Sequence, residues 1–255
     1  MHRLPPLAVL TSCLALLAAT MPAQRGGRGR PEAILERVSC YLVTEKLPPA
    51  AAGADRLASV GLVAGAKAKQ ELVLLYLFDS GAEAPKRETF ETVMFGNEEL
   101  GVALRCFHFA RLDIAGDAEL GTRYGKRLPT FVAFDANGRN VGDVSFTGYR
   151  AAIGPLITLL EKASAGHVKP SLGVFTSEYR KVVHDFEMFE ARRKTLGDRQ
   201  EKASDPAKRT AIDKDLAELD AEQKKAAAAE TRLLEQAKVP VRDAQAKRFE
   251  VRRGR

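Results

Sequence analysis

The chain has 255 residues, with 40 basic and 33 acidic side chains and a formal net charge of +7. That length buries one good core and leaves residues for further elements. There is no tryptophan, basic and aromatic residues do not interleave, and the positive excess is diluted among alternating acids and bases, which argues against a specific nucleic-acid binder.

Residues 1–23 read as a secretory signal peptide: His2 and Arg3 form a basic start, Leu7 to Ala19 is apolar, and Met21-Pro22-Ala23 offers a small residue before a cut. The apolar run is about 13 residues, against roughly 20 for a bilayer span. A retained anchor is the alternative, and a lipoprotein cut before Cys13 is a weaker one. Export predicts a periplasmic or secreted chain that meets the membrane only transiently. It leaves Cys40 and Cys106 in an oxidising compartment. The two can form one disulfide, or stay as buried thiols acting as small hydrophobes.

Residues 24–62 read as an N-terminal linker and helices. The Gly/Arg stretch at 24–31 is linker-like. Ile34, Leu35, Val38, Tyr41 and Leu42 recur at helical spacing, which predicts a helix from Pro31 to Val43. A second helix is expected over Arg56–Lys69. Leu72 to Phe78 is an unbroken apolar run, suited to a strand buried on both faces. Helices follow over 85–95 and 97–104, broken at Gly96-Asn97. Phe107 to Ile114 reads as a strand and Ala118 to Tyr124 as a short helix. Thr130 to Phe134 and Val141 to Phe146 read as strands joined by the turn Asp135-Ala136-Asn137-Gly138. An amphipathic helix over Tyr149–Ala165 closes the segment. A parallel βαβ unit followed by a hairpin and a covering helix makes a mixed sheet with helices on both faces, hence an α/β domain at 63–168.

Residues 176–238 change character. Tyr179, Val182, Phe186, Phe189 and Leu196 follow spacings of three and four. Ser204-Asp205-Pro206 then restarts a helix, and Ile212, Leu216, Leu219, Ala226 and Leu233 resume the seam. This predicts an antiparallel, coiled-coil-like helical hairpin, a candidate surface for a protein partner or a homodimer. It can equally pack on its own domain. Residues 239–255 read as a basic, solvated tail.

Residues from about 63 to 165 resemble the thioredoxin-like superfamily, particularly its exported members. The resemblance is carried, in order, by Ala66 to Tyr76, by Glu88-Thr89-Phe90 with Phe95 to Leu100, by Arg111-Leu112-Asp113, by Tyr124-Gly125 and by Leu128-Pro129-Thr130. It implies that Pro129 is the family's cis-proline, with Arg127, Leu128 and Thr130 beside it in a peptide-binding loop. It also implies a Cys-x-x-Cys motif opening the helix after the first core strand. Here Ala82 and Pro85 stand at those two positions, and no cysteine lies between 41 and 105. Neither residue forms the thiolate that disulfide exchange needs.

Three functions follow. The first is an exported, redox-inactive binding or scaffold protein with a protein or peptide partner and no cofactor. The second is an unconventional thiol enzyme using Cys106, with His108 two residues on, and Cys40. The third is an anionic-surface binder using the arginines at 25–30 and 252–255. Four scattered histidines and the lack of zinc spacing point to no metal.

Overall fold

Alternation of side chains on extended backbone builds the centre of the molecule. The computed structural model describes residues 30–49 and 55–250. The expected leader, most of the linker and the terminal arginines lie outside the described residues. Among the described residues, β1 (Tyr41–Glu45), β2 (Leu72–Phe78), β3 (Phe107–Asp113), β4 (Thr130–Phe134), β5 (Asn140–Ser145) and β6 (Lys247–Arg248) form one sheet in the order β5–β4–β2–β3–β1–β6. β1, β3 and β2 run parallel, whereas β4, β5 and β6 pair antiparallel with their neighbours.

Successive residues of β2 serve opposite cores, as a strand's period of two requires. Leu72, Leu74 and Tyr76 join Phe107, Phe109, Phe131 and Ala133 on one face. Val73, Leu75 and Leu77 join Ala110, Leu112, Val132 and Phe134 on the other. The first face is covered by α1 (Glu32–Val38), α3 (Ala84–Phe95), α4 (Glu98–Ala103), α6 (Ile153–Ser164) and α7 (Leu172–Lys202), and the second by α2 (Gly61–Lys69) and α5 (Ala118–Tyr124). The βαβ unit, the β4–β5 hairpin and the covering helix are present, so the fold is thioredoxin-like.

Polar side chains fix the helix starts. Asn97 accepts from the Leu100 amide and so opens α4 just after the Gly96 break; Asp117 does the same for α5 and Ser171 for α7. Asp205, followed by Pro206, opens α8 (Pro206–Gln236).

Four expectations need correction. The helix expected from Pro31 to Val43 ends at Val38, and Tyr41–Glu45 is a strand. Leu42 and Val43 are adjacent yet enter opposite cores, which only extended backbone permits. Over so short a run, apolar residues three and four apart fit either period. The helix expected from Arg56 starts at Gly61, after turns. The last helix of the sheet domain starts at Ile153 rather than Tyr149, because residues 147–149 form a 3-10 turn in which Gly148 and Tyr149 have positive φ. The tail is not solvated throughout: Val239 and Phe249 pack on the main core, and β6 covers the edge of β1.

α7 and α8 form the expected helical hairpin, each 31 residues long, or about 46 Å at 1.5 Å per residue. Its base packs on the hairpin's own domain. Leu172, Phe175, Tyr179, Val183 and Phe186 are part of the same core as β2 and β3. A polar knot holds it there. The Glu230 carboxylate accepts from Tyr179 Oη at 2.6 Å and from Arg37 Nε and Nη2 at 3.0 and 2.9 Å. Arg37 stacks on Phe186 and Arg105 on Tyr179. Farther out, Leu196 and Leu219 are buried between the two helices.

Candidate functional site

Two loops meet at one rim of the sheet. Leu77 pairs with Thr130 and Phe78 with Asp113, so the turn after β2 and the residues before β4 converge there. Ala82 is half-buried in that turn, and Pro85 is exposed in the first turn of α3. Opposite them, the Leu128–Pro129 peptide bond is cis. Pro129 is buried, Leu128 half-buried and Arg127 exposed.

Both loops are tied down by hydrogen bonds. The Ser80 and Ala115 amides each donate to Asp113 Oδ1 at 3.0 Å. Gly81 donates to Asp79 Oδ1, and Arg87 Nη1 donates to the Asp79 carbonyl at 2.7 Å. Burial opposes ionisation of Asp113, but the bonds from Ser80 and Ala115 and the charge of Arg87 outweigh it, and its carboxyl sits below the usual range. On the other loop, Thr130 Oγ1 donates to the Arg127 carbonyl at 2.7 Å and lies 2.9 Å from Ser145 Oγ. The Phe146 amide donates to the Pro129 carbonyl at 2.8 Å, and Arg127 pairs with Asp143. The acids near Ala82 and Pro85 are structural: Asp79 holds its own turn and Glu83 pairs with Lys86 at 3.0 Å.

The structure does not bring the thiols to this rim. Cys40 and Cys106 are free, and both lie at the opposite end of the sheet, just before β1 and β3. The length of β3 separates that end from Pro129 by about 20 Å at 3.3 Å per residue. Their relative exposures are 0% and 1%, and burial pushes each thiol up to about 12. Thiolate chemistry needs the opposite shift. His108, two residues beyond Cys106, has Nε2 2.8 Å from Glu71 Oε2. Cys106 packs in the aromatic core.

Sequence reasoning missed a cleft on the aromatic face, near the same rim. It has a volume of 1220 Å³ and runs between α3, the ends of β1 and β3, and residues 244–250. Arg87 and Arg111 stand 5.3 and 6.0 Å from the Phe78 ring. Glu91, a buried acid, accepts a hydrogen bond from Tyr76 Oη at 3.1 Å. Burial pushes the Glu91 carboxyl up, despite the Tyr76 bond and nearby Arg87 and Arg111. The one sequence signal was an acid in helical register with apolar Phe90 and Met94. Among the described residues, no group of three His, Cys, Asp or Glu side chains is placed to hold a metal, and no helix is long and apolar enough to cross a membrane.

No family model and no curated protein matches the chain. Solved structures do. A thioredoxin from Thermus thermophilus is 22% identical with a TM-score of 0.32, over 41% of this chain and 86% of that one. The Malassezia sympodialis thioredoxin Mala s 13 is 19% identical with a TM-score of 0.26, over 37% of this chain and 79% of that one. A disulphide isomerase from Xylella fastidiosa Temecula1 is 17% identical with a TM-score of 0.27, over 52% of this chain and 95% of that one.

Proposed function

We propose that the chain is an exported, redox-inactive thioredoxin-like protein that binds a protein or peptide partner at the Arg127–Thr130 loop, with the helical hairpin as a second interaction surface. The observation that carries the reading is the placement of sulfur. Ala82 and Pro85 occupy the rim where an exchange motif would stand, while Cys40 and Cys106 are sealed at the far end of the sheet. Disulfide exchange needs a thiol that a substrate sulfur can reach. Docking needs only the ordered loop with its half-buried Leu128 and exposed Arg127. Export is supported by the basic start and short apolar run of residues 2–23.

An insulin-reduction assay with dithiothreitol tests the reading. The wild-type chain is expected to give the uncatalysed rate. Catalysis that disappears in Cys106→Ser would overturn the redox-inactive assignment. For the binding half, Leu128→Glu is expected to release whatever polypeptide the immobilised wild-type chain retains from an envelope extract; retention unchanged by that substitution would remove the loop from the interaction.

A further inference from the structure

The C-terminal segment behaves as a ligand of its own domain. After α8, the chain turns at Lys238, which has φ +52, and passes Pro240, which has no amide to donate. Residues 241–245 are all exposed, Val241 to 88%. Arg242 nevertheless lies over the Tyr41 ring of β1, 3.3 Å from its centre, and the strand pairing follows. Among the described residues, Lys247 and Arg248 pair with Leu42 and Tyr41 of β1. The Phe249 amide donates to the Cys40 carbonyl at 2.9 Å. The Phe249 ring meets the Phe95 ring edge-on at 5.1 Å. Arg248 pairs with Glu32 of α1. Behind the segment lies a 50 Å³ cavity lined in part by Tyr41, Val43, Pro240 and Ala246, and beside it the 1220 Å³ cleft.

These contacts describe an acceptor site. A sheet edge supplies backbone groups, an aromatic floor supplies Phe95, and an acid supplies Glu32. Strand addition at an edge uses these parts: main-chain bonds give affinity, and alternate side chains give specificity. The seated sequence shows what fits, a basic residue followed by an aromatic one in extended conformation. The neighbouring cleft wall is mixed in charge, with Glu88 and Glu91 beside Arg87 and Arg111. Two ladder pairs contribute little by themselves, so the Phe249 ring, the Arg248–Glu32 pair and the Arg242 contact carry the rest of the seat.

We propose that the β1 edge, with Phe95, Glu32 and the adjoining cleft, docks an extended basic-aromatic segment of a partner polypeptide, and that residues 247–249 occupy this place in cis until displaced. The surface is separate from the cis-proline loop, so neither proposal depends on the other.

The probe is a fluorescein-labelled peptide with the sequence of residues 244–250, titrated into the full-length chain by anisotropy. Arg248→Glu in the protein sets like charge against Glu32 and weakens the resident segment while leaving the floor intact. The peptide is expected to bind Arg248→Glu at least tenfold more tightly than wild type. A Phe249→Ala peptide is expected to lose that binding, and so is protein carrying Glu32→Arg together with Arg248→Glu. Circular dichroism melts establish that each protein is folded. Equal affinity for wild type and Arg248→Glu, or no binding to folded Arg248→Glu, overturns the proposal. Dimerisation of the wild-type chain by light scattering that is suppressed by Arg248→Glu, without peptide binding, also overturns it, in favour of exchange between two copies.

Discussion

Glu91 illustrates how one residue can set the pH response of the core. Its carboxyl is buried against Tyr76 and its folded-state pKa is raised. A raised pKa means that the folded protein holds this proton more tightly than the unfolded chain does. The stability it contributes is therefore full below the unfolded carboxyl pKa and is lost as pH rises through the folded value. Glu91→Gln keeps an oxygen to accept from Tyr76 and removes the charge. It is expected to raise the midpoint of thermal unfolding at pH 7, with the gap to wild type closing as pH falls to about 4, near the free carboxyl pKa. A gap that widens on acidification would contradict the assignment. Cys106 was legible at the start of a strand, whereas Cys40 was not, because the strand it precedes, β1, exists only through its pairing with β3. The rim position of Ala82 and Pro85 was legible because they follow closely on the β2 apolar run.

At the scale of elements, α1 and α4 touch without a side chain between them. A Cβ at Gly101 would fall 1.8 Å from the Val38 carbonyl oxygen, a backbone atom that cannot swing away. Gly101→Ala must therefore push α1 off α4, and is expected to destabilise the protein by about 3 kcal/mol, the upper end of overpacking costs. Chemical denaturation measures it; a change under about 0.5 kcal/mol, the range of neutral surface substitutions, would refute the contact. The elements with strong local signals were readable: β2 from its continuous apolar run, the α3–α4 break from Gly96-Asn97, and the β4–β5 turn from Asp135 to Gly138. β1 was not, because its five residues are a strand only through pairing with β3, some 65 residues later in the chain by the register of Val43 with Ala110. β6 is likewise a product of tertiary contact: nothing local to Lys247-Arg248 favours extension, and the edge of β1 imposes it.

For the whole molecule, the decisive contact joins hairpin and body at Glu230. Both α7 and α1 donate to that carboxylate, through Tyr179 and Arg37. Glu230→Ala leaves a phenol and a guanidinium facing a gap, and is expected to cost about 2–3 kcal/mol, the penalty for stripping charged hydrogen-bond partners. Hydrogen exchange should place the loss at the hairpin base, with faster exchange in residues 172–186 and 226–237 and little change in β2. Uniform loss across the sheet would instead mean that hairpin and body unfold as one unit. The hairpin itself could be read from its heptad-like stripe, whereas its docking could not. Glu230 appears in sequence as a polar interruption of a helical seam, and only the fold shows that Arg37, nearly two hundred residues earlier, answers it.

That anchorage turns the hairpin into a fixed outrigger. From Glu230 to the bend at Ala203–Asp205, α8 advances roughly 36 Å at 1.5 Å per residue. A load gripped at the bend would ride at a constant stand-off from the β-sheet, its spacing governed by helix length rather than by a slack tether. Inserting whole turns into both arms would lengthen that stand-off in equal increments and leave the Glu230 joint untouched.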